Sequence, residues 1–208
     1  MMRLVYGLVV IIGVGPTSMA LAQVSPPGPI FRCTFGDNPD ERVGACTAII
    51  QSGSESQENR VMALHTRGGL YANKGDIDRA IQDYDEGLRL NPNYVNLYHS
   101  RGNAYRAKGD NDRAIRDYDE AIRLGSTMAV IPDLAAALAF VFNDRGKAYN
   151  IKGDNSRAIQ DYDEAIKLYP SSAAAFYNRG IAKRASGDIS GGDDDITRAK
   201  QIDPTVGQ

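Results

Sequence analysis

The sequence predicts an all-α solenoid, in which four pairs of antiparallel helices stack in a row behind one N-terminal capping helix. The first reason is repetition. A phrase that begins with Arg-Gly recurs: Gly68 and Gly102 are 34 residues apart, as are Gly146 and Gly180, and the middle step is 44. The second reason is that apolar residues in each phrase recur every three or four positions, as in amphipathic helices. Because one such pair cannot bury its apolar side alone, neighbouring pairs are expected to stack.

Residues 1–22 have the pattern of a secretory signal peptide. Arg3 precedes an apolar run over residues 4–14, and small residues end the segment before an expected cleavage at Gln23. The apolar run is shorter than the roughly 20 residues that span a bilayer. We therefore expect a secreted protein with no stable membrane anchor in its mature form. An uncleaved N-terminal anchor is the alternative.

Two segments separate the signal peptide from the repeats. Residues 23–37 begin with a proline-rich stretch and are predicted to form an extended leader, because proline does not fit inside a helix. Residues 38–59 are predicted to form one capping helix followed by a polar linker. Asn38 is its expected cap and Pro39 suits its first turn. This helix would cover the open face of the first repeat.

The chain has two cysteines, Cys33 and Cys46, and both precede the repeats. In an oxidising compartment a pair with this separation predicts a disulfide. Closing a loop of this size stabilises the fold by roughly 3 kcal/mol in the chain-entropy model. A redox role is less favoured because the Cys-x-x-Cys spacing is absent from the sequence. Two free thiols are the remaining alternative.

Each repeat divides into an opening helix and a closing helix. In the first repeat, Gly75-Asp76 ends the opening helix, since glycine reverses the chain easily and aspartate caps the helix that follows. Asn91-Pro92 ends the closing helix. The predicted boundaries are 60–94 for repeat 1, 95–128 for repeat 2, 129–138 for an insert that extends the next helix, 139–172 for repeat 3 and 173–206 for a degenerate repeat 4.

Two departures from the repeated pattern carry structural predictions. Pro132-Asp133 in the insert looks like a helix start, so the opening helix of repeat 3 should begin early and run long. In repeat 4, Gly191 and Gly192 lie inside the closing helix, where each glycine costs roughly 1 kcal/mol relative to alanine. We expect that closing helix to fray or to be short.

The full phrase runs, in repeat 2, from Arg101-Gly102-Asn103-Ala104-Tyr105 through Lys108-Gly109-Asp110 to Arg113-Ala114-Ile115-Arg116-Asp117-Tyr118-Asp119-Glu120. It resembles the tetratricopeptide repeat, in a variant common in bacteria, and the resemblance covers residues 61–206. It implies a right-handed superhelix whose opening helices line a concave surface that docks a peptide or another protein. Together with the signal peptide, the bacterial variant suggests a periplasmic location.

A charge pair keeps its register in all four repeats. An arginine precedes the repeat glycine at Arg67, Arg101, Arg145 and Arg179, and an aspartate recurs 16 positions later at Asp83, Asp117, Asp161 and Asp195. We interpret the pairs as a partly buried structural ladder that joins opening and closing helices. The alternative is a row of arginines that faces the groove and binds acidic peptide tails.

The groove face of the opening helices is the predicted docking site. Asparagine can bond the backbone of an extended peptide, and Arg106, Lys147 and Arg184 can bind carboxylates. The face resembles the carboxylate-gripping grooves of chaperone-binding tetratricopeptide domains, with Asn103, Arg106 and Lys147 as the matching residues. The complete set, projected from the repeat, is Met62, His65, Asn73, Asn96, His99, Asn103, Arg106, Phe140, Asn143, Lys147, Asn150, Tyr177, Ile181 and Arg184.

His65 and His99 are the only histidines, and they occupy equivalent positions in consecutive repeats. A metal site is disfavoured, because no acidic or cysteine residue aligns with them and adjacent helices lie roughly 8–10 Å apart. A polar docking stripe is the preferred interpretation. We predict no metal and no cofactor.

Composition and motifs narrow the function further. The net charge of −2 gives no broad attraction to nucleic acid. The sequence holds no phosphate-binding loop, nucleophile elbow or His-Glu-x-x-His motif, so we predict that the protein is not an enzyme. The predicted function is a protein- or peptide-binding adaptor. The alternative is self-assembly into a homo-oligomer through the uncapped repeat 4 and the 129–138 insert.

Overall fold

The chain folds as successive antiparallel helix pairs, each packed against the next. The structure is a computed structural model that describes residues 28–126 and 132–208. Over those residues it contains helices and no strand. The predicted signal peptide, residues 1–22, lies outside the described residues. The helices are α1 (Pro29–Phe35), α2 (Pro39–Gln51), α3 (Gln57–Asn73), α4 (Ile77–Leu90), α5 (Val95–Ala107), α6 (Asn111–Ser126), α7 (Pro132–Ile151), α8 (Asn155–Leu168), α9 (Ala173–Ala185) and α10 (Ile189–Ile202).

The four repeats pair α3 with α4, α5 with α6, α7 with α8 and α9 with α10. Each closing helix also packs on the opening helix of the next repeat, as α4 does on α5 and α8 on α9. The predicted all-α solenoid of antiparallel helix pairs is confirmed. No helix within residues 28–126 and 132–208 is long and apolar enough to cross a membrane.

A Gly-Asp step forms the turn inside each repeat. In the first repeat Gly75 has a φ of 82°, a left-handed conformation that glycine adopts without strain. Asp76 then caps α4, because its carboxylate accepts a hydrogen bond from the backbone N–H of Arg79. Asp154 caps α8 in the same way. The repeated sequence thus sets the repeated turn.

Small residues allow the two helices of a repeat to approach closely. A Cβ atom placed on Gly146 would lie 2.6 Å from the ring of Tyr162, and one on Gly102 would lie 2.6 Å from the ring of Tyr118. Both tyrosine side chains are completely buried. In the first three repeats the tyrosine ring of the closing helix therefore lies directly on the glycine of the opening helix, with Tyr84 on Gly68 in the first.

From residue 28 onward two helices precede repeat 1, where the sequence predicted an extended leader and one capping helix. Part of the leader forms α1, which a disulfide between Cys33 and Cys46 joins to α2. The side chain of Arg42 donates to the backbone carbonyls of Cys33, at 3.0 Å, and Thr34, at 2.7 Å. Pro29 occupies the first turn, where its missing N–H is harmless. These tertiary contacts stabilise a helix too short to predict from local pattern.

The opening helix of repeat 3 is extended, as predicted. α7 begins at Pro132 and has 20 residues, compared with 13 in α5 and in α9. Its extra turns come from the insert. The first residues of the insert, 129–131, lie outside the described residues.

The prediction of a frayed or short last helix is wrong. α10 has 14 residues, as α4 and α8 have, despite Gly191 and Gly192. A Cβ atom on Gly192 would lie 2.7 Å from the carbonyl oxygen of Gly180. The glycine therefore allows a close contact with α9, and this packing offsets its poor helix propensity.

The outward face of α10 is polar. At two positions where the other closing helices direct leucine or isoleucine toward the next repeat, α10 carries Asp193 and Lys200, and both are exposed. Leu88, for example, packs in one cluster with Leu97 of the following helix. The residues equivalent to Asp193 are Ile81, Ile115 and Ile159, and those equivalent to Lys200 are Leu88, Ile122 and Ile166. The last repeat therefore presents a solvated end.

Candidate docking groove

The opening helices form a continuous surface, because α3 contacts α5, α5 contacts α7 and α7 contacts α9. The predicted docking residues all lie on these four helices. Those that are exposed are Asn73, Asn96, Phe140, Ile181 and Arg184. Those that are half-buried are Met62, His65, His99, Asn103, Arg106, Lys147, Asn150 and Tyr177. Asn143 is buried.

Polar pairs join neighbouring opening helices along this surface. His65 Nε2 is 3.0 Å from Ser100 Oγ, and Asn178 Nδ2 donates to Asn143 Oδ1 at 2.9 Å. The same contact joins His99 to Asp144 in the middle of the array. In each pair, the partner on the following helix lies one residue after the predicted groove residue of that helix. Asn143 is thus held in packing between α7 and α9.

A charged cluster connects α5 and α7 at the centre of the groove. His99 Nε2 is 2.8 Å from Asp144 Oδ2, and Lys147 Nζ is 3.0 Å from Asp144 Oδ1. Burial would raise the pKa of Asp144, but the hydrogen bond from His99 and the charge of Lys147 outweigh it and lower the pKa to about 2. Asp144 is therefore ionised at neutral pH. Aligning the repeats puts no acidic residue in register with the histidines, because Asp144 lies one position after the equivalent residue, Asn143.

Arg106 is the cation of the cluster with the fewest contacts. Its Nε lies 3.4 Å from the hydroxyl of Tyr118, and that hydroxyl donates to Asn103 Oδ1 at 2.8 Å. Asn103 in turn lies 3.2 Å from His99. Arg106 makes no ion pair with any side chain in the described ranges, unlike Lys147. Most of its five N–H donors are therefore available to a ligand.

Three tyrosine hydroxyls lie beneath the groove and differ in their partners. That of Tyr118 donates to Asn103. The hydroxyl of Tyr162 is buried and has no hydrogen-bond partner among residues 28–126 and 132–208. Burial raises the pKa of all three tyrosines, that of Tyr84 to about 12, so all are neutral donors.

A cavity of about 400 Å³ opens beside His99, between the start of α5, the end of α6 and the first turns of α7. Its wall is mainly apolar. The groove residues Asn96, His99 and Phe140 also border it, so the cavity is continuous with the predicted docking surface. It is lined by Asn93, Tyr94, Val95, Asn96, His99, Gly125, Ala137, Leu138, Phe140 and Val141.

The arginine–aspartate ladder is confirmed as structural. Arg101 donates to both carboxylate oxygens of Asp117, at 2.8 and 2.7 Å, and also to Asp85 of the preceding repeat. The same bidentate pairs occur in the other three repeats. The arginine side chains are 16–20% exposed and committed to these aspartates. They do not form a row of free guanidinium groups for peptide binding.

Metal binding has no geometric support in the described part of the chain. No three histidine, cysteine, aspartate or glutamate side chains there lie close enough together to hold an ion. Burial and the charge of His99 lower the pKa of His65, so that histidine is neutral at pH 7.

Comparison with known proteins identifies the repeated unit. A family model described as TPR repeat matches residues 68–105 and 146–187, and one described as Tetratricopeptide repeat matches residues 95–127. No curated protein matches the chain.

Several solved structures share the fold. MamA from Desulfovibrio magneticus RS-1 has a TM-score of 0.70 and 18% identity, over 86% of this chain and 93% of that one. BtubC from P. vanneervenii has a TM-score of 0.69 and 18% identity, over 78% and 70%. The first TPR of Spaghetti (RPAP3), bound to an HSP90 peptide, has a TM-score of 0.55 and 22% identity, over 61% and 93%. At these identities the likeness is one of fold.

Proposed function

This chain is a tetratricopeptide repeat protein, and from that premise we propose that it is a non-catalytic adaptor that holds an extended segment of a partner protein in its groove. The groove is the surface formed by α3, α5, α7 and α9. The solved relative that is bound to the HSP90 peptide SRMEEVD supports peptide docking as a use of this fold.

The observation that carries the proposal is how few of the hydrogen-bond donors of Arg106 have a partner. It lies in the centre of the groove, and its one hydrogen bond within the described residues is the 3.4 Å contact with Tyr118. Lys147 lies on the neighbouring helix with 36% of its side chain exposed. A carboxylate beside Arg106 would receive charge-assisted hydrogen bonds in a partly dehydrated setting. We therefore infer that the partner segment is extended and acidic.

The proposed location is outside the cytoplasm, and the periplasm if the source is a Gram-negative bacterium. The signal-like residues 1–22 and the disulfide between Cys33 and Cys46 support it, since disulfides persist in oxidising compartments. Fractionation of the native host, with detection of the chain and of its N-terminus, tests the location. Recovery from the cytoplasm with residue 1 intact would contradict it.

Charge reversal tests the groove. The double variant Arg106→Glu with Lys147→Glu should weaken capture of acidic peptides from a library at least tenfold. Each substitution removes a charge-assisted hydrogen bond to a peptide carboxylate. Arg116→Glu is the matched control, since Arg116 is exposed on the closing helix α6, outside the groove. Circular dichroism should show equal helicity in all three proteins. Equal capture by the groove variant and the control would refute the proposal.

Self-assembly through the last repeat is the second candidate function. The exposed Asp193 and Lys200 on the outward face of α10 make that face a poor apolar contact. The turns that the insert adds to the start of α7, by contrast, line the cavity.

A further inference from the structure

The cavity exists because two positions at the end of repeat 2 carry small or short side chains. Between repeats 1 and 2, Tyr94 covers the corresponding space, with its ring 5.8 Å from that of His65. The residue equivalent to Tyr94 in the next repeat is Leu138, which is buried beside Gly125. Residues equivalent to Gly125 are Asn91 and Tyr169. The space that Tyr94 covers between repeats 1 and 2 is therefore open beside His99, between repeats 2 and 3.

An exposed aromatic pair lies at the other end of the described chain. Phe31 and Phe35, one turn apart on α1, have ring centroids separated by 5.3 Å and are 47% and 68% exposed. The disulfide at Cys33 and the contacts of α1 with α2 and α3 fix the position of the pair. Such pairs are costly to leave in water, because each ring exposes apolar area that burial would stabilise.

The cavity matches the pair in size and chemistry. A cavity of roughly 150 Å³ is enough to bind benzene, so about 400 Å³ accommodates two phenyl rings. The pair cannot enter the cavity of its own chain, because α1 contacts α2 and α3 and has no contact with α5, α6 or α7. We propose that Phe31 and Phe35 of one copy insert into the cavity between α5, α6 and α7 of a second copy.

Charge favours the same pairing. The aromatic pair is followed by an exposed acidic turn that carries Asp37 and Glu41, together with Asp40, which already pairs with Lys74 of its own chain. Arg106 lies on α5, about 10 Å along the helix from the cavity residue His99, given a rise of 1.5 Å per residue. Lys147 lies on α7, which also lines the cavity. With the rings in the cavity, the acidic turn would therefore meet these two cations.

The two surfaces differ, so the contact joins copies head to tail. Such heterologous contacts produce rings or open chains instead of a symmetric dimer. Two aromatic side chains bury only a few hundred Å², well below the roughly 1,200–2,000 Å² of a stable interface. We therefore expect weak association that increases with concentration and decreases with salt.

Sedimentation equilibrium across a concentration series to the millimolar range tests the proposal. The sample is the chain purified from its own host, so that any processing has taken place. Wild type should associate. Phe31→Ser with Phe35→Ser should weaken association by about tenfold or more per ring. Ala137→Glu should do the same, because Ala137 is an exposed part of the cavity wall.

Mixing the two variants gives the decisive result. The aromatic variant retains an intact cavity and Ala137→Glu retains an intact aromatic pair, so an equimolar mixture should form heterodimers and nothing larger. Ile151→Ser is the control, since Ile151 is 62% exposed and belongs to neither surface, and it should associate like wild type. A wild type that stays monomeric at all concentrations, or a mixture that stays monomeric while wild type associates, overturns the proposal.

This inference does not rest on peptide capture, and the two fail separately. The aromatic variant should lose self-association and retain the capture of acidic peptides. Arg106→Glu with Lys147→Glu should reduce capture most and affect self-association only through its charge contribution.

Discussion

The guanidinium of Arg145 binds the carboxylate of Asp161 through two hydrogen bonds, 2.9 Å from Nε and 2.6 Å from Nη2. The two side chains are 19% and 6% exposed, and a further nitrogen of Arg145 donates to Asp119 of the preceding repeat at 2.6 Å. One arginine thereby joins the helices of its own repeat and connects that repeat to the one before it.

Removing this arginine should destabilise the array strongly. Arg145→Leu leaves the carboxylate of Asp161 without its partner, and breaking a buried pair costs about 3–5 kcal/mol. Chemical denaturation followed by circular dichroism measures the loss. Arg123→Leu is the control: it breaks a pair with Glu120 in which the arginine side chain is 64% exposed, and exposed pairs contribute about 1 kcal/mol or less. Equal losses would contradict the structural ladder.

Two neighbouring glycine positions should respond oppositely to alanine. Gly68 lies under the ring of Tyr84, so Gly68→Ala forces that ring to move and should cost about 1–3 kcal/mol. A Cβ atom on the adjacent Gly69 meets nothing within 4 Å. Gly69→Ala should therefore stabilise α3 by about 1 kcal/mol through helix propensity. Thermal unfolding midpoints of the two variants should shift in opposite directions.

The disulfide should stabilise the N-terminal end of the array. Cys33→Ser with Cys46→Ser releases α1, and the chain-entropy model gives a loss of about 3 kcal/mol for a loop of this size. Hydrogen exchange should rise in α1 and α2 and stay unchanged in α7 to α10. Wild type under reducing conditions should reproduce the variant, and protection that falls uniformly would contradict a local role.

Acid should weaken the contact between α5 and α7 in a defined range of pH. The pKa of Asp144 is about 2 in the folded chain, below its ordinary value of 3.8. The stability from its ionised form is therefore fully present above about pH 4 and is lost as pH falls toward 2, with an amplitude of about 2 kcal/mol. Asp144→Asn should lower stability at neutral pH and flatten the dependence below pH 4. An unchanged slope in that range would count against the depressed pKa.

The helical repeats were predictable because the local sequence determines where each helix begins and ends. Gly75-Asp76 and Asn91-Pro92 determine a turn and a stop with local chemistry alone, and Pro132 did the same for the early start of α7. Helix α1 was not predictable, since seven residues after a proline-rich stretch become helical through the disulfide and Arg42. The persistence of α10 through Gly191 and Gly192 depends equally on tertiary packing against Gly180.

The groove was predictable in part. Register placed His65 and His99 on one face, but it did not reveal that Ser100 and Asp144, one position further along, would bond to them. The cavity depends on the smaller side chains of Gly125 and Leu138, compared with Asn91 and Tyr94 in the repeat before. Its presence becomes visible only when neighbouring repeats are compared in three dimensions.

The charged side chains on the last helix have a consequence for the growth of such proteins by duplication. A copied unit inserted after Pro204 would meet Asp193 and Lys200 in place of the aliphatic residues that hold the other joints together. Lengthening the array by gene duplication would therefore succeed more readily at an internal joint, Asn91-Pro92 or Tyr169-Pro170, than after repeat 4.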